Sequence, residues 1–421
     1  MKVVLINTSE RTGGAAIACN RLMKALRKNG HEAVTIVLDK QSNDDRVIVA
    51  KRGIFNRLLS RFNFYWELLV IFINNRFKKK YLFSVSLANT GFDISKHPLI
   101  QNADIIHLHW VNHGFLSLKS IQKLIERGKP VVWTLHDMWS ATGICHYPYE
   151  CTNYQSGCHD CQYLLNPHKK DLSYTYFNKK RSLGLDKIQY VGCSKWIAGE
   201  TEKGAFLSGA SFTSIPNPID TNIFSPKERI EARKRFNLPQ DKYLLLFSAA
   251  KISDERKGGI YFVEACNYLQ TNYPEIAEKT EVLLMGQGDS EFFEQIRLKV
   301  NTLSYISDEE SMAYAYSAAD AFVIPSLGDN LPNTIMESMA CGTPCIGFNV
   351  GGIPEMIEHK TNGYIAEYKD SKDLMAGIID VLDPTNLSAY SSNAVKKVNR
   401  EYKEAVIVQS YTQLYQRLLD E

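Results

Sequence analysis

The sequence of 421 residues predicts an α/β protein made of two Rossmann-like, doubly wound parallel-sheet domains facing a cleft. Three observations carry that expectation. Short apolar runs without alternation recur along the chain, as parallel strands covered on both faces require. Amphipathic helical text separates them. The alternation pauses at a stretch rich in Pro and Asn near residue 220 and then begins again.

VVLINT (3–8) reads as the first strand, followed by a glycine turn at Gly13 and Gly14. AAIACNRLMKALRKNG (15–30) has apolar residues at helical spacing and is stopped by Gly30. AVTIVL (33–38), DIIHLH (104–109), PVVWTLH (130–136) and IQYVGCS (188–194) continue as strands, with helical text such as LKSIQKLIERG (118–128) between them. IPNPIDTNIFSP (215–226) is the linker. YLLLFSAA (243–250), a helix from Gly259, TEVLLMG (280–286), AADAFVIPS (318–326) and TPCIGFN (343–349) form the second alternation. The expected domains are 1–222 and 223–400, with a last helix in 401–421 crossing back onto the first.

Composition is that of a soluble globular chain, 44% hydrophobic and 23% charged. Charge at Glu10 and Arg11 interrupts the N-terminal apolar run, so no signal peptide is expected there. No segment offers the ~18 uninterrupted apolar residues of a membrane span. The expected compartment is the cytoplasm, where thiols stay reduced. Residues 1–220 carry 29 Lys and Arg against 17 Asp and Glu, a net of +12; residues 221–421 carry 20 against 29, a net of −9. The first half is therefore expected to meet something anionic.

The stretch PSLGDNLPNTIMESMACGTPCIGFNVGGIPEM (325–356) carries the functional signal. It sets Asp329 and Glu337 eight residues apart across a loop and the start of a helix expected near Thr334, with Glu337 on its first turn. Backbone N–H groups from Leu331 to Thr334 and the positive end of the helix suit a diphosphate. ERKGG (255–259) adds two cations, Arg256 and Lys257, between a strand and a helix start. His109 ends one strand; His136 and Asp137 end the next. An isolated acidic pair would do no more than favour a helix start.

Taken with DIIHLH, WTLHD, IPNPID, ERKGG and YSAADAFVIPS in the same order, that stretch resembles the donor-site signature of family 4 (group 1) glycosyltransferases, retaining enzymes of the GT-B fold. The similarity covers nearly the whole chain and is greatest to the branch that builds bacterial polysaccharides. It implies a hexosyltransferase that moves a hexose from a nucleotide-diphosphate sugar, UDP rather than GDP, to a glycan or lipid-linked saccharide, with no catalytic metal or organic cofactor. By the same resemblance Glu337 binds the ribose, and Asp329, standing where the family usually has Glu, holds donor-sugar hydroxyls. Lys257 is the phosphate-binding lysine, with Arg256 beside it and Lys251 in place of the family's upstream arginine. Gly13, Gly14, Ile306 (with Tyr305, at the base), Asn330, Leu331, Pro332, Asn333 and Thr334 complete the nucleotide-sugar cradle. His109 is placed near the reacting carbon, while His136 and Asp137 face the acceptor. Two alternatives share the architecture: a non-catalytic nucleotide-sugar or glycan-binding protein, and a sugar-nucleotide epimerase.

Two further segments stand out. Residues 51–80 hold eight basic residues and one acid, Glu67, interleaved with aromatics and leucines. The segment 51–83 is expected either to lie on an anionic membrane surface or to pack as a core helix with solvated ends; no nucleic-acid module accompanies it. CHYPYECTNYQSGCHDC (145–161) sets Cys145, Cys151, Cys158 and Cys161 close in sequence. A structural zinc, disulfide bonds and free thiols all remain open; four thiolates would close a tetrahedral site and leave no position for catalysis.

Overall fold

The computed structural model describes residues 1–421 apart from 52, 252–253, 288–293 and 305 and the side chains of 250 and 251. The chain divides into two units, Met1–Asn217 with Ile407–Glu421, and Pro218–Val406.

The first unit runs β1 (Lys2–Ser9), α1 (Gly14–Lys28), β2 (Glu32–Asp39), β3 (Val47–Val49), α2 (Ile54–Asn74), α3 (Pro98–Asn102), β4 (Ile105–Leu108), α4 (Leu118–Ile125), β5 (Val131–Leu135), α5 (Leu172–Arg181), β6 (Gln189–Gly192), α6 (Lys195–Glu202) and β7 (Ser211–Ser214). Its strands pair in the parallel order β3-β2-β1-β4-β5-β6-β7. Growth of the sheet reverses between β1 and β4, which opens a crevice beyond their carboxyl ends.

The second unit runs α7 (Arg229–Arg235), β8 (Tyr243–Lys251), α8 (Gly259–Asn272), α9 (Pro274–Glu278), β9 (Thr280–Gln287), β10 (Val300–Leu303), α10 (Glu309–Ala318), β11 (Ala321–Ile324), α11 (Asn333–Ala340), β12 (Cys345–Phe348), α12 (Ile353–Met356), β13 (Gly363–Ala366), α13 (Ser371–Leu382) and α14 (Pro384–Glu401). The parallel order here is β10-β9-β8-β11-β12-β13, with the reversal between β8 and β11. A final helix, α15 (Glu404–Asp420), buries Ile407, Val408, Tyr411, Leu414 and Tyr415 among Val3, Leu5, Leu22, Val132 and Val191 of the first unit. Both sheets are apolar on both faces, so the strands lack alternation.

Helix α2 has its polarity turned round. The residues it buries are Asn63, Glu67 and Ile71, with Asn75 following at its C-cap, one stripe at a spacing of four. That stripe is bonded to the protein: Glu67 Oε1 accepts from the Leu87 N–H at 2.7 Å, and the Asn75 amide donates to the Tyr163 carbonyl and accepts from the Leu165 N–H. A Cβ at Gly114 would overlap the Asn63–Phe64 backbone, which shows how tightly the helix is seated. The opposite face carries Ile54, Phe55, Leu58, Phe62, Trp66 and Ile73 into solvent, with Ile54 82% and Phe55 76% exposed. Helices of soluble domains do the reverse.

The cysteine loop (145–161) is held by polar contacts of its own. All nine cysteines are free, and among the described residues no group of three or more His, Cys, Asp or Glu side chains is spaced to hold a metal ion. His146 spends its ring elsewhere, Nδ1 on Asp137 at 2.7 Å and Nε2 on Ser86 Oγ at 3.0 Å. His159 pairs with Asp160 at the surface. Burial pushes the Cys158 thiol up to about 11 and that of Cys161 up to about 12. A buried Lys180 already brings an amine into the knot, donating to the Trp139 and Thr142 carbonyls. Polar pinning of the loop thus comes from Asp137, His146 and Lys180.

Candidate active site

In the second unit the loops leaving β8 and β11 meet at the switch point. After β8, a short 3₁₀ turn (Glu255–Lys257) ends on Gly258 at φ +67°, where α8 begins. A Cβ at Gly258 would overlap the Pro325 carbonyl oxygen, so only glycine lets the two loops touch. The Leu327 N–H donates to the Arg256 carbonyl at 2.8 Å and completes the seam. Both cations then converge on one carboxylate: Lys257 Nζ donates to Asp329 Oδ2 at 2.7 Å, and an Arg256 guanidinium nitrogen to Oδ1 at 3.1 Å. Burial would raise the Asp329 carboxyl, but the Lys257 and Arg256 charges outweigh it and hold it below the usual range.

The next helix differs by one residue from the sequence expectation. α11 starts at Asn333 rather than Thr334, with Pro332 at the N-cap giving no side-chain cap. Glu337 is consequently its fifth residue and lies on the second turn, not the first. Pro332 brings a fixed φ of −60° to the residue before the helix and no side-chain acceptor. Glu337 is 2% exposed and accepts a hydrogen bond from Tyr316 Oη at 3.0 Å. Tyr316 stands on α10, at the start of YSAAD, and the sequence held no signal that it would meet a residue 21 positions on. Asn330 and Leu331 are buried in the loop, and Ile306 is half-buried. Tyr305 and the Lys251 side chain lie outside the described residues.

In the first unit the corresponding place is the end of β1 and β4. Gly13 caps α1 at φ +91°, a backbone state that favours glycine, and Gly14 opens the helix. The His109 N–H donates to the Ile6 carbonyl, and the Trp110 N–H to the Asn7 side chain, which ties the two strand ends together. His107 lies below His109, ring centroids 4.5 Å apart, with both nitrogens engaged: Nδ1 with Tyr415 Oη and Nε2 with Thr134 Oγ1, each at 2.7 Å. His109 Nδ1 lies 3.0 Å from His136 Nε2, while His109 Nε2 is buried without a partner. Desolvation keeps this group neutral, with His136 lowered to about 4 and His107 to about 3. Asp137 accepts from Trp110 Nε1, the Trp139 N–H and His146, so its carboxylate is occupied by the protein itself.

Two family models match the chain, one in each unit. Residues 12–223 match "Glycosyltransferase Family 4" and residues 242–384 match "Glycosyl transferases group 1". The chain is 24% identical over 346 residues to N-acetyl-alpha-D-glucosaminyl L-malate synthase of Bacillus anthracis, covering 80% of each. It is 24% identical over 227 residues, 51% of this chain and 56% of the other, to an Escherichia coli UDP-Gal:alpha-D-GlcNAc-diphosphoundecaprenol alpha-1,3-galactosyltransferase. Among solved structures, the Anabaena protein HepE in complex with UDP and glucose aligns over 99% of both chains with a TM-score of 0.64 at 15% identity, which bears on the fold. The two matched models and the two parallel sheets of GT-B architecture lead to one conclusion: this chain belongs to the family 4, group 1 glycosyltransferases and is a glycosyltransferase.

Proposed function

We propose that this glycosyltransferase is a retaining enzyme that moves a hexose from a UDP-sugar to a glycan or lipid-linked saccharide in surface polysaccharide biosynthesis, without a catalytic metal. The observation that carries the reading is the convergence of Lys257, Arg256 and the N-terminus of α11 at the switch point of the second sheet, a place suited to a leaving diphosphate. Lys257 and the α11 N–H groups would stabilise the charge that develops on the departing phosphate. Glu337, oriented by Tyr316, would hold the ribose. Asp329 would hold a sugar hydroxyl while keeping the two cations in place. The acceptor hydroxyl would attack from the face the nucleotide leaves, and the departing phosphate oxygen would take its proton. No carboxylate base is required in that scheme, unlike glycosidases.

UDP is favoured because HepE was solved with UDP and glucose. A lipid-linked acceptor is favoured because the Escherichia coli relative is named for one. The deciding measurement is nucleotide release and product anomer by NMR, over a panel of UDP- and GDP-hexoses with EDTA present. Retention with UDP donors is expected; an inverted product, or activity only after divalent metal is restored, would overturn the reading.

Helix α2 fits the same proposal. Among the described residues no helix is long and apolar enough to cross a membrane. An apolar face backed by a polar, internally bonded stripe suits a helix lying in the interface of a bilayer, with Trp66 and Tyr65 at headgroup level. Arg57, Arg61, Arg76, Lys78, Lys79 and Lys80 are exposed along the segment and suit anionic lipid. The double variant Phe62→Ser, Trp66→Ser, and separately Gln at Arg76, Lys78, Lys79 and Lys80, should each stop co-sedimentation with anionic vesicles while sparing donor hydrolysis. Unchanged sedimentation would remove the membrane from the proposal.

A further inference from the structure

Asp329 is held in place from two sides. Its own carbonyl accepts from the Gly352 N–H at 3.2 Å, and a Cβ at Gly351, φ +61°, would overlap that carbonyl oxygen. The loop after β12 thus closes on Asp329 from one side, and the turn bearing Arg256 and Lys257 closes on it from the other. With the backbone fixed, a carboxylate on a single methylene has little room to swing away. Both of its oxygens lie on the cations, and Arg256 is anchored again by the Gly328 carbonyl at 3.1 Å. The Asp329 side chain is 13% exposed, that of Lys257 23% and that of Arg256 34%, so each cation is more open than the carboxylate between them. All of these groups belong to the second unit.

An anion that reaches the open side meets cations that already have a counter-ion. Its charge then lies close to a fixed carboxylate in a partly desolvated place, where like charges repel more than in water. That repulsion differs between the two ends of a transfer reaction. The intact donor has a diphosphate esterified at both ends, and its sugar brings a hydroxyl that can donate to the carboxylate. The released nucleotide has lost that hydroxyl and gained a terminal phosphate oxygen, and a phosphate monoester ionises a second time near pH of about 6.

We infer that Asp329 is a release residue: a fixed counter-ion that competes with the nucleoside diphosphate product for Lys257 and Arg256, so that the site holds an intact diphosphate-sugar in preference to the free nucleotide. This rests on the reading above that the second switch point takes the leaving diphosphate.

The test is the Kd of UDP, and of inorganic pyrophosphate as a probe without a base, measured by calorimetry on the full chain at one low salt concentration. Asp329→Asn removes the charge and leaves Oδ1 to accept from one cation. It should bind both probes at least about tenfold more tightly than the unsubstituted protein, and UDP dissociation in stopped flow should slow by a similar factor. Asp329→Ser, also neutral, carries the same expectation should the Asn variant misfold. Asp329→Glu restores the charge and should return both affinities to within about threefold of the original. Unchanged affinity in the neutral variants would reduce Asp329 to a sugar contact, and weaker affinity would make it only a brace for the cations; either result overturns the inference. Lys257→Ala should weaken both probes. If it does not, the diphosphate lies elsewhere, and the site reading falls together with the inference. Pyrophosphate that tightens in Asp329→Asn while UDP binds to no form would uphold the release role and overturn only the choice of uridine.

Discussion

Lys257→Ala should cut turnover by about 10²–10³-fold, the loss seen when a preorganised charge-stabilising donor is removed from a transition state. The cation is held within 2.7 Å of Asp329 before any substrate arrives, so it needs no reorganisation to meet a diphosphate. Because the lysine acts on charge that develops as the bond breaks, the loss should appear in kcat more than in KM. Glu337→Ala should act differently, raising KM for the donor, since a ribose contact is present equally before and during reaction. Tyr316→Phe removes one hydrogen bond to Glu337 and should raise KM by a smaller factor, about 2–10-fold. Steady-state kinetics on the three variants, each checked for folding by circular dichroism, would separate these effects. Full activity in both Lys257→Ala and Glu337→Ala would show that the donor site has been misplaced.

Acidification is expected to unfold the first unit well above the pH at which its carboxylates titrate. His107 and His109 are buried and His113 and His136 half-buried, and desolvation holds each below the ordinary 6.5, His113 and His136 at about 4 and His107 at about 3. In the unfolded chain these rings take up protons near 6.5, while in the folded protein they stay neutral. Their contribution is therefore complete above pH 6.5 and is lost as the pH falls from there toward 4. Each ring contributes up to about 1.4 kcal/mol per pH unit in that window. Asp137 works in a different window: burial would raise its carboxyl, but His146 and three hydrogen bonds hold it below the usual range. Its share persists through this window and is lost only at lower pH. Urea midpoints should be level from pH 7.5 to about 6.5 and fall from there to pH 5.0; a profile flat throughout would mean that the rings are not held neutral.

Much of this protein is determined by sequence alone. The two sheets, the linker and the loops bearing Asp329, Lys257, His109 and Gly13 were legible because unalternated apolar runs, helical periodicity and glycine turns are local patterns, written within ten or twenty residues. The acidic pair and the cations were legible too, because helix starts and strand ends announce themselves in composition. What only the tertiary structure decided is how distant side chains meet. The helix starts at Asn333, directly after Pro332, which places Glu337 on the second turn. Within the cysteine loop only folding gave His146 to Asp137, nine residues away, and brought Lys180 in from α5. Helix α2 read as amphipathic either way; only the pairing of Glu67 with the Leu87 backbone showed that its polar stripe faces inward. A run of side-chain contacts from Asn217 through Cys193 and His136 to His109 joins residues up to 57 positions apart at each step. Hydrogen bonding is directional and short in range, so such partners are set by three-dimensional placement, which no one-dimensional period encodes.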